Sequence, residues 1–61
     1  MHARTDTLSR LRAKGELTIL ETEHGVTVAL KQGDHVIALS NQDEMKLLQE
    51  LERLTRQWPD A

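Results

Sequence analysis

HVIALSNQDEMKLLQELERLTRQW, residues 35–58, reads as a strand, a helix cap and the longest helix the chain can form. Ser40 is a good N-cap, because its hydroxyl can accept from a free backbone N–H of the first turn. Asp43 stands three residues later and can reach back as in a capping box; Asn41 with Glu44 offers the same arrangement one residue on. Asp43 and Glu44 also place negative charge at the positive end of the helix dipole. Leu47, Leu51, Leu54 and Trp58 recur at spacings of four, three and four, with Leu48 at the edge of their sector. That spacing predicts one apolar stripe. Glu52 and Arg56 stand in the favoured order for an i,i+4 pair. Pro59 is expected to stop the helix near Trp58, since the residue before proline is pushed out of the α region. The predicted C-terminal helix therefore spans 40–58.

A lone helix of this length is marginal in water, so the stripe needs an apolar partner. A coiled coil would extend the spacing, but here it lasts only about two heptads. A sheet from the same chain is the expected partner. ELTILET (16–22), VTVAL (26–30) and HVIAL (35–39) read as strands rich in β-branched and aliphatic residues. EHG (23–25) and KQGD (31–34) read as turns, with Gly25 able to supply a positive φ.

A two-residue loop at Gln32-Gly33 would set Leu30 opposite His35, Val28 opposite Ile37 and Val26 opposite Leu39. Glu21 opposite Val26 would set Ile19 against Val28 and Leu17 against Leu30. Leu17, Ile19, Val26, Val28, Leu30, Ile37 and Leu39 then share one face, and a one-residue slip would scatter them. The long helix is expected to lie across that face.

The other face carries Thr18, Leu20, Thr27, Ala29, Val36 and Ala38, with no charged side chain in the expected paired region. A solvated sheet face usually alternates to polar or charged groups, so this one is expected to be covered. The first helix could cover it through Leu8 and Leu11; so could a second copy or a foreign protein. Leu20, Thr27, Ala29, Val36 and Ala38 are the candidate partner or dimer interface.

Residues 1–4, MHAR, have no pattern and are expected to fray. Thr5 or Asp6 can cap a short helix running to about Lys14, and Gly15 fits a left-handed C′ position. A basic disordered arm is the alternative. The expected fold is a single α+β domain of order αβββα: an N-terminal helix or arm (1–15), a three-stranded antiparallel meander (16–39) and a long helix on one face (40–58).

Sixty-one residues lie near the size where a single core leaves little margin. The absence of cysteine removes disulfides and thiolate metal sites, and Trp58 is the sole aromatic. Chains this small without staples commonly gain burial by oligomerising, so a homodimer is expected. The net charge of −2 is unevenly spread. Residues 1–15 carry Arg4, Arg10, Arg12 and Lys14 against Asp6, a sum of +3; the rest carries four basic and nine acidic side chains, a sum of −5. Arg4, Arg10, Arg12 and Lys14 are candidate phosphate contacts, and the same arm could settle on its own body or on a second copy. No apolar run approaches the roughly 18 residues of a membrane span, and a secretory apolar segment is absent from the start. A cytoplasmic protein with no membrane partner is expected.

The motifs of chemistry are missing. His2, His24 and His35 lack zinc-site spacing. Asp34, Asp43 and Glu44 read as turn and capping carboxylates. Ser40 has no histidine placed to activate it. Gly15, Gly25 and Gly33 are isolated and form no phosphate loop. No catalytic residue, metal or cofactor is expected, and the chain is not expected to be an enzyme.

The order helix, three strands, helix is similar in topology and length to the double-stranded-RNA-binding domain. That family places lysines at the start of its second helix, where this chain has Asn41, Gln42, Asp43 and Glu44. HVIALSNQDEMKLLQEL resembles the last strand and helix of the single-stranded-DNA-binding transcriptional coactivator family, whose members pair as dimers. Both resemblances imply nucleic-acid binding. The predicted sheet has no aromatic on which a base could stack, and no family is assigned from either. The expected function is that of a small non-enzymatic regulator or inhibitor acting by protein–protein binding. Its size fits a phage or mobile-element product directed at a host machine. The alternative is a nucleic-acid-binding accessory protein or transcriptional regulator using the basic arm, whose contacts would be to phosphate without base readout.

Overall fold

The structure, a computed structural model, describes residues 3–61; Met1 and His2 lie outside the described residues. The order is α1 (Ala3–Lys14), β1 (Glu16–Thr22), β2 (Gly25–Gln32), β3 (His35–Asn41) and α2 (Glu44–Leu54). The strands form one antiparallel sheet in the order β1-β2-β3. This is the expected αβββα architecture. The N-terminal segment is a 12-residue helix rather than a disordered arm, and it already includes Ala3 and Arg4.

The first hairpin has the predicted register, with Leu17 opposite Leu30, Ile19 opposite Val28 and Glu21 opposite Val26. The second differs by two residues. Its loop is Gly33-Asp34, not Gln32-Gly33, so Leu30 faces Ile37 and Val28 faces Leu39. Gly33 sits at φ 59 and Asp34 has a negative φ, which suits a type II′ turn with glycine first. A two-residue slip preserves the side-chain period, so every residue keeps its predicted face.

The core is one cluster. Leu8, Leu11, Val28, Leu30, Leu47, Leu48 and Leu51 are buried, and Leu17, Ile19, Val26, Ile37, Leu39, Met45 and Trp58 pack around them. Each fully buried leucine contributes about 1.5–3 kcal/mol. Leu8 and Leu11 belong to this cluster, so α1 does not cover the far side of the sheet. It lies beside α2 on the same face, against β1, while α2 lies over β2 and β3. Beside α2 the two leucines join a formed core, whereas the far face would offer them only Leu20, Val36, threonines and alanines. The chain is thus two layers, with helices on one side and the bare sheet on the other.

The C-terminal helix is shorter than 40–58 and its stripe is turned. Asp43, not Ser40, is the N-cap: its carboxylate accepts from the N–H groups of Met45 (3.0 Å) and Lys46 (3.3 Å). Asn41 Oδ1 in turn accepts from the Asp43 N–H at 2.9 Å. Ser40 is still in the ladder, opposite Thr27, and their hydroxyls lie 2.8 Å apart. The buried positions are Leu47, Leu48, Leu51 and Thr55, while Leu54 is 41% exposed. Thr55 ends the helix, and its hydroxyl donates to the Leu51 carbonyl at 2.8 Å. Glu52 pairs with Arg10 of α1 rather than with Arg56, and the pair along α2 is Glu50–Arg53.

What stops α2 before Trp58 is the tail's own set of partners. Lys14 Nζ donates to the Trp58 carbonyl (2.6 Å), and the Ala61 N–H donates to the Ala13 carbonyl (2.8 Å). Gln32 Nε2 donates to both Lys14 O (2.7 Å) and Pro59 O (2.5 Å). The Trp58 ring lies 5.6 Å from that of His35. The tail thereby ties the end of α1 to the β2–β3 hairpin. Gly15 belongs to the same junction. Its φ is not positive, so it is not a left-handed cap; a Cβ there would lie 2.2 Å from the Lys31 carbonyl oxygen.

Candidate protein-docking surface

The face turned away from the helices is built by strand alternation, which sends every second side chain to it. The ladder sets three rows across it. Glu16, Lys31 and Val36 form the first; Thr18, Ala29 and Ala38 the second; Leu20, Thr27 and Ser40 the third. The middle row has only small side chains, so it makes a shallow trough across the strands. Leu20 (58% exposed) and Val36 (60% exposed) stand on either side of it at diagonal corners. The proposed interface residues Leu20, Thr27, Ala29, Val36 and Ala38 therefore lie together on one uncovered face. Pairing runs one step beyond the uncharged region and brings Glu16 and Lys31 side by side at one end. The remaining rows carry no charge. Ser40, read from sequence as a helix cap, belongs to this surface; its parity with Val36 and Ala38 was the signal.

The four cations of α1 have a different setting. Arg4 forms an ion pair with Glu44, and this hydrogen bond holds its guanidinium above the ordinary arginine value. Arg10 forms one with Glu52, with a second contact at 3.2 Å to the other carboxylate oxygen. That hydrogen bond raises the Arg10 pKa and holds the Glu52 carboxyl below its usual range. Lys14 is engaged by Trp58 O. Only Arg12 projects into solvent with no hydrogen-bond partner among the described residues. The segment's charge thus ties α1 to α2 and to the tail, and does not form a comb of free cations.

Among the described residues, the buried Thr7 accepts from Arg10 Nη2 (3.2 Å), the buried Thr55 donates to Leu51 O, and no buried side-chain polar atom lacks a partner. His24 lies in the β1–β2 turn and His35 at the start of β3, at opposite ends of the sheet; His2 lies outside the described residues. The openings at the surface are open clefts. One is bounded by Glu21, Glu23, His24 and Gln42, another by Arg10, Lys14, Glu52, Arg56 and Asp60, and a third by Thr22, Thr27, Ser40 and Asn41. No helix among the described residues is long and apolar enough to cross a membrane. Comparison with protein-family models, with curated proteins and with solved structures finds no match to this chain.

Proposed function

We propose that this chain is a non-enzymatic regulator or inhibitor that acts by laying the bare face of its sheet against another protein. One observation carries the reading: both helices share the opposite face, which leaves Leu20 and Val36 exposed around an uncharged trough. A sheet face whose charge is confined to one end, with exposed Leu20 and Val36 about an uncharged trough, is the kind of surface a protein partner covers. The intrachain pairing of Arg4, Arg10 and Lys14 speaks against phosphate binding by the same segment.

The test is affinity capture from cell lysate, with and without nuclease, for three forms: wild type, a Leu20→Glu/Ala29→Glu variant and an Arg12→Ala variant. The proposal expects a protein captured by wild type and by Arg12→Ala, resistant to nuclease and lost with the face variant. Capture that nuclease abolishes, or that Arg12→Ala loses and the face variant keeps, overturns it in favour of nucleic acid.

A further inference from the structure

The outer edge of β3 carries no guard. The β2–β3 loop is closed by the Gln32–His35 pair. In a two-residue hairpin the closing pair is hydrogen-bonded, and bonded pairs then alternate along the ladder. His35, Ile37, Leu39 and Asn41 therefore bond to β2, while the N–H and C=O groups of Val36, Ala38 and Ser40 point outward. β3 is last in the sheet order, and no backbone hydrogen bond from the helices or tail reaches these three among the described residues. Edge strands are normally protected by charge, proline, a bulge or shortness. β3 has seven residues, HVIALSN, with no Asp, Glu, Lys, Arg, Pro or Gly. The opposite edge, β1, is protected in the usual way: Glu16 and Glu21 stand near its two ends.

We propose that the β3 edge pairs antiparallel with β3 of a second copy, about a two-fold axis at Ala38, and joins two three-stranded sheets into one. The partner is read from self-complementarity. In this register Ala38 meets itself and Val36 meets Ser40, so each outward N–H finds an outward carbonyl. Ile37 and Leu39 of the two copies become the close non-bonded pairs on the helix side. Both residues are only half-buried within one chain, and this contact covers them. No charge opposes a like charge anywhere along the strand. The same construction at the β1 edge would set Leu17 against Glu21. The axis runs perpendicular to the sheet, so the two bare faces lie on the same side and form one surface. The inference stands on the free edge and goes beyond the docking reading, which rests on the face.

The test combines sedimentation equilibrium with amide exchange, from micromolar to near-millimolar chain. The mass should rise with concentration from 7.0 kDa toward twice that value. Over the same range the Val36, Ala38 and Ser40 amides should become protected, while those of Ile37 and Leu39 are protected throughout. Ala38→Pro removes an outward donor without breaking the β2 ladder, so it should stay at 7.0 kDa with unchanged circular dichroism. If that variant loses its fold, Ala38→Lys serves: like charges at the axis should weaken the dimer about tenfold at low salt. Leu20→Glu, two strands away, should remain a dimer even where it loses a captured protein. A chain that stays at 7.0 kDa at every concentration overturns the proposal, leaving the edge to an extended segment of another protein. So does a dimer that Leu20→Glu splits and Ala38→Pro does not, which would place self-association on the face.

Discussion

Gly15 shows how a residue type can be legible while its reason is not. A glycine after a helical pattern suggests a left-handed cap, and α1 does end just before it. Yet the residue is required because α1 turns into β1 directly beneath the Lys31 carbonyl, 2.2 Å from where a Cβ would sit. The obstacle is backbone, so it cannot swing aside as a side chain would. Gly15→Ala should cost about 1–3 kcal/mol through overpacking, read as a lower urea midpoint with an unchanged slope. The left-handed-cap reading predicts a similar loss for alanine but tolerance of Gly15→Asn, which enters that region readily. In this structure asparagine should be worse than alanine. Gly33 is the contrasting case: its φ of 59 favours glycine, and open space surrounds it.

The helices separate what periodicity can show from what it cannot. Strand alternation placed every aliphatic residue on its correct face, even though the second hairpin is displaced by two residues, because a period of two is blind to such a slip. Helical periodicity is less forgiving. The sector containing Leu47 and Leu51 is the buried one, but Leu48 and Thr55 fill it in place of Leu54, and Trp58 packs on the core only partly buried, from beyond the end of the helix. Beyond the helix the tail bonds to Lys14, Ala13 and Gln32, contacts that have no signature in the local pattern. Cap choice follows the same logic, since three of the four polar residues before the helix, Ser40, Asn41 and Asp43, could each begin it. Asp43→Ala should lower stability by about 0.5–2 kcal/mol, with Ser40→Ala close to neutral, as thermal unfolding of the two variants would show. Equal losses would return the cap to Ser40.

The seam between α1 and α2 is also electrostatic. Hydrogen bonding to Arg10 holds the Glu52 carboxyl below its ordinary value, and Arg53 does the same for Glu50. A carboxyl depressed in the folded chain contributes its full stability above the unfolded value, about 4.3 for glutamate. That contribution is lost as pH falls through the lower, folded value. Stability should therefore decline below about pH 4.3, and Glu52→Gln should show a shallower decline than wild type. Salt should shrink the difference, because both partners reach solvent. A variant as pH-sensitive as wild type would remove Glu52 from the seam.

Taken whole, the described residues place every large apolar side chain on the helix side of the sheet except Leu20 and Val36. The uncharged character of the other side was visible in sequence. Which element would cover it was not, because two leucines on α1 carry no information about the side of the sheet they seek. Placing α1 beside α2 is what turns a merely pale face into an available one, and it consumes most of the cations that a nucleic-acid reading needs. The free edge of β3 could be inferred only once the strand order and hairpin loop were known.

The most direct measurement is methyl NMR of the dilute chain with a soluble paramagnetic agent, repeated after the captured protein is added. The Leu20 and Val36 methyls should broaden strongly in the free chain, those of Leu11, Leu48 and Leu51 should not, and the first pair should become shielded in the complex. Leu20 and Val36 methyls already shielded in the dilute chain, or still broadened when the partner is bound, would contradict the bare sheet face as the surface through which this protein acts.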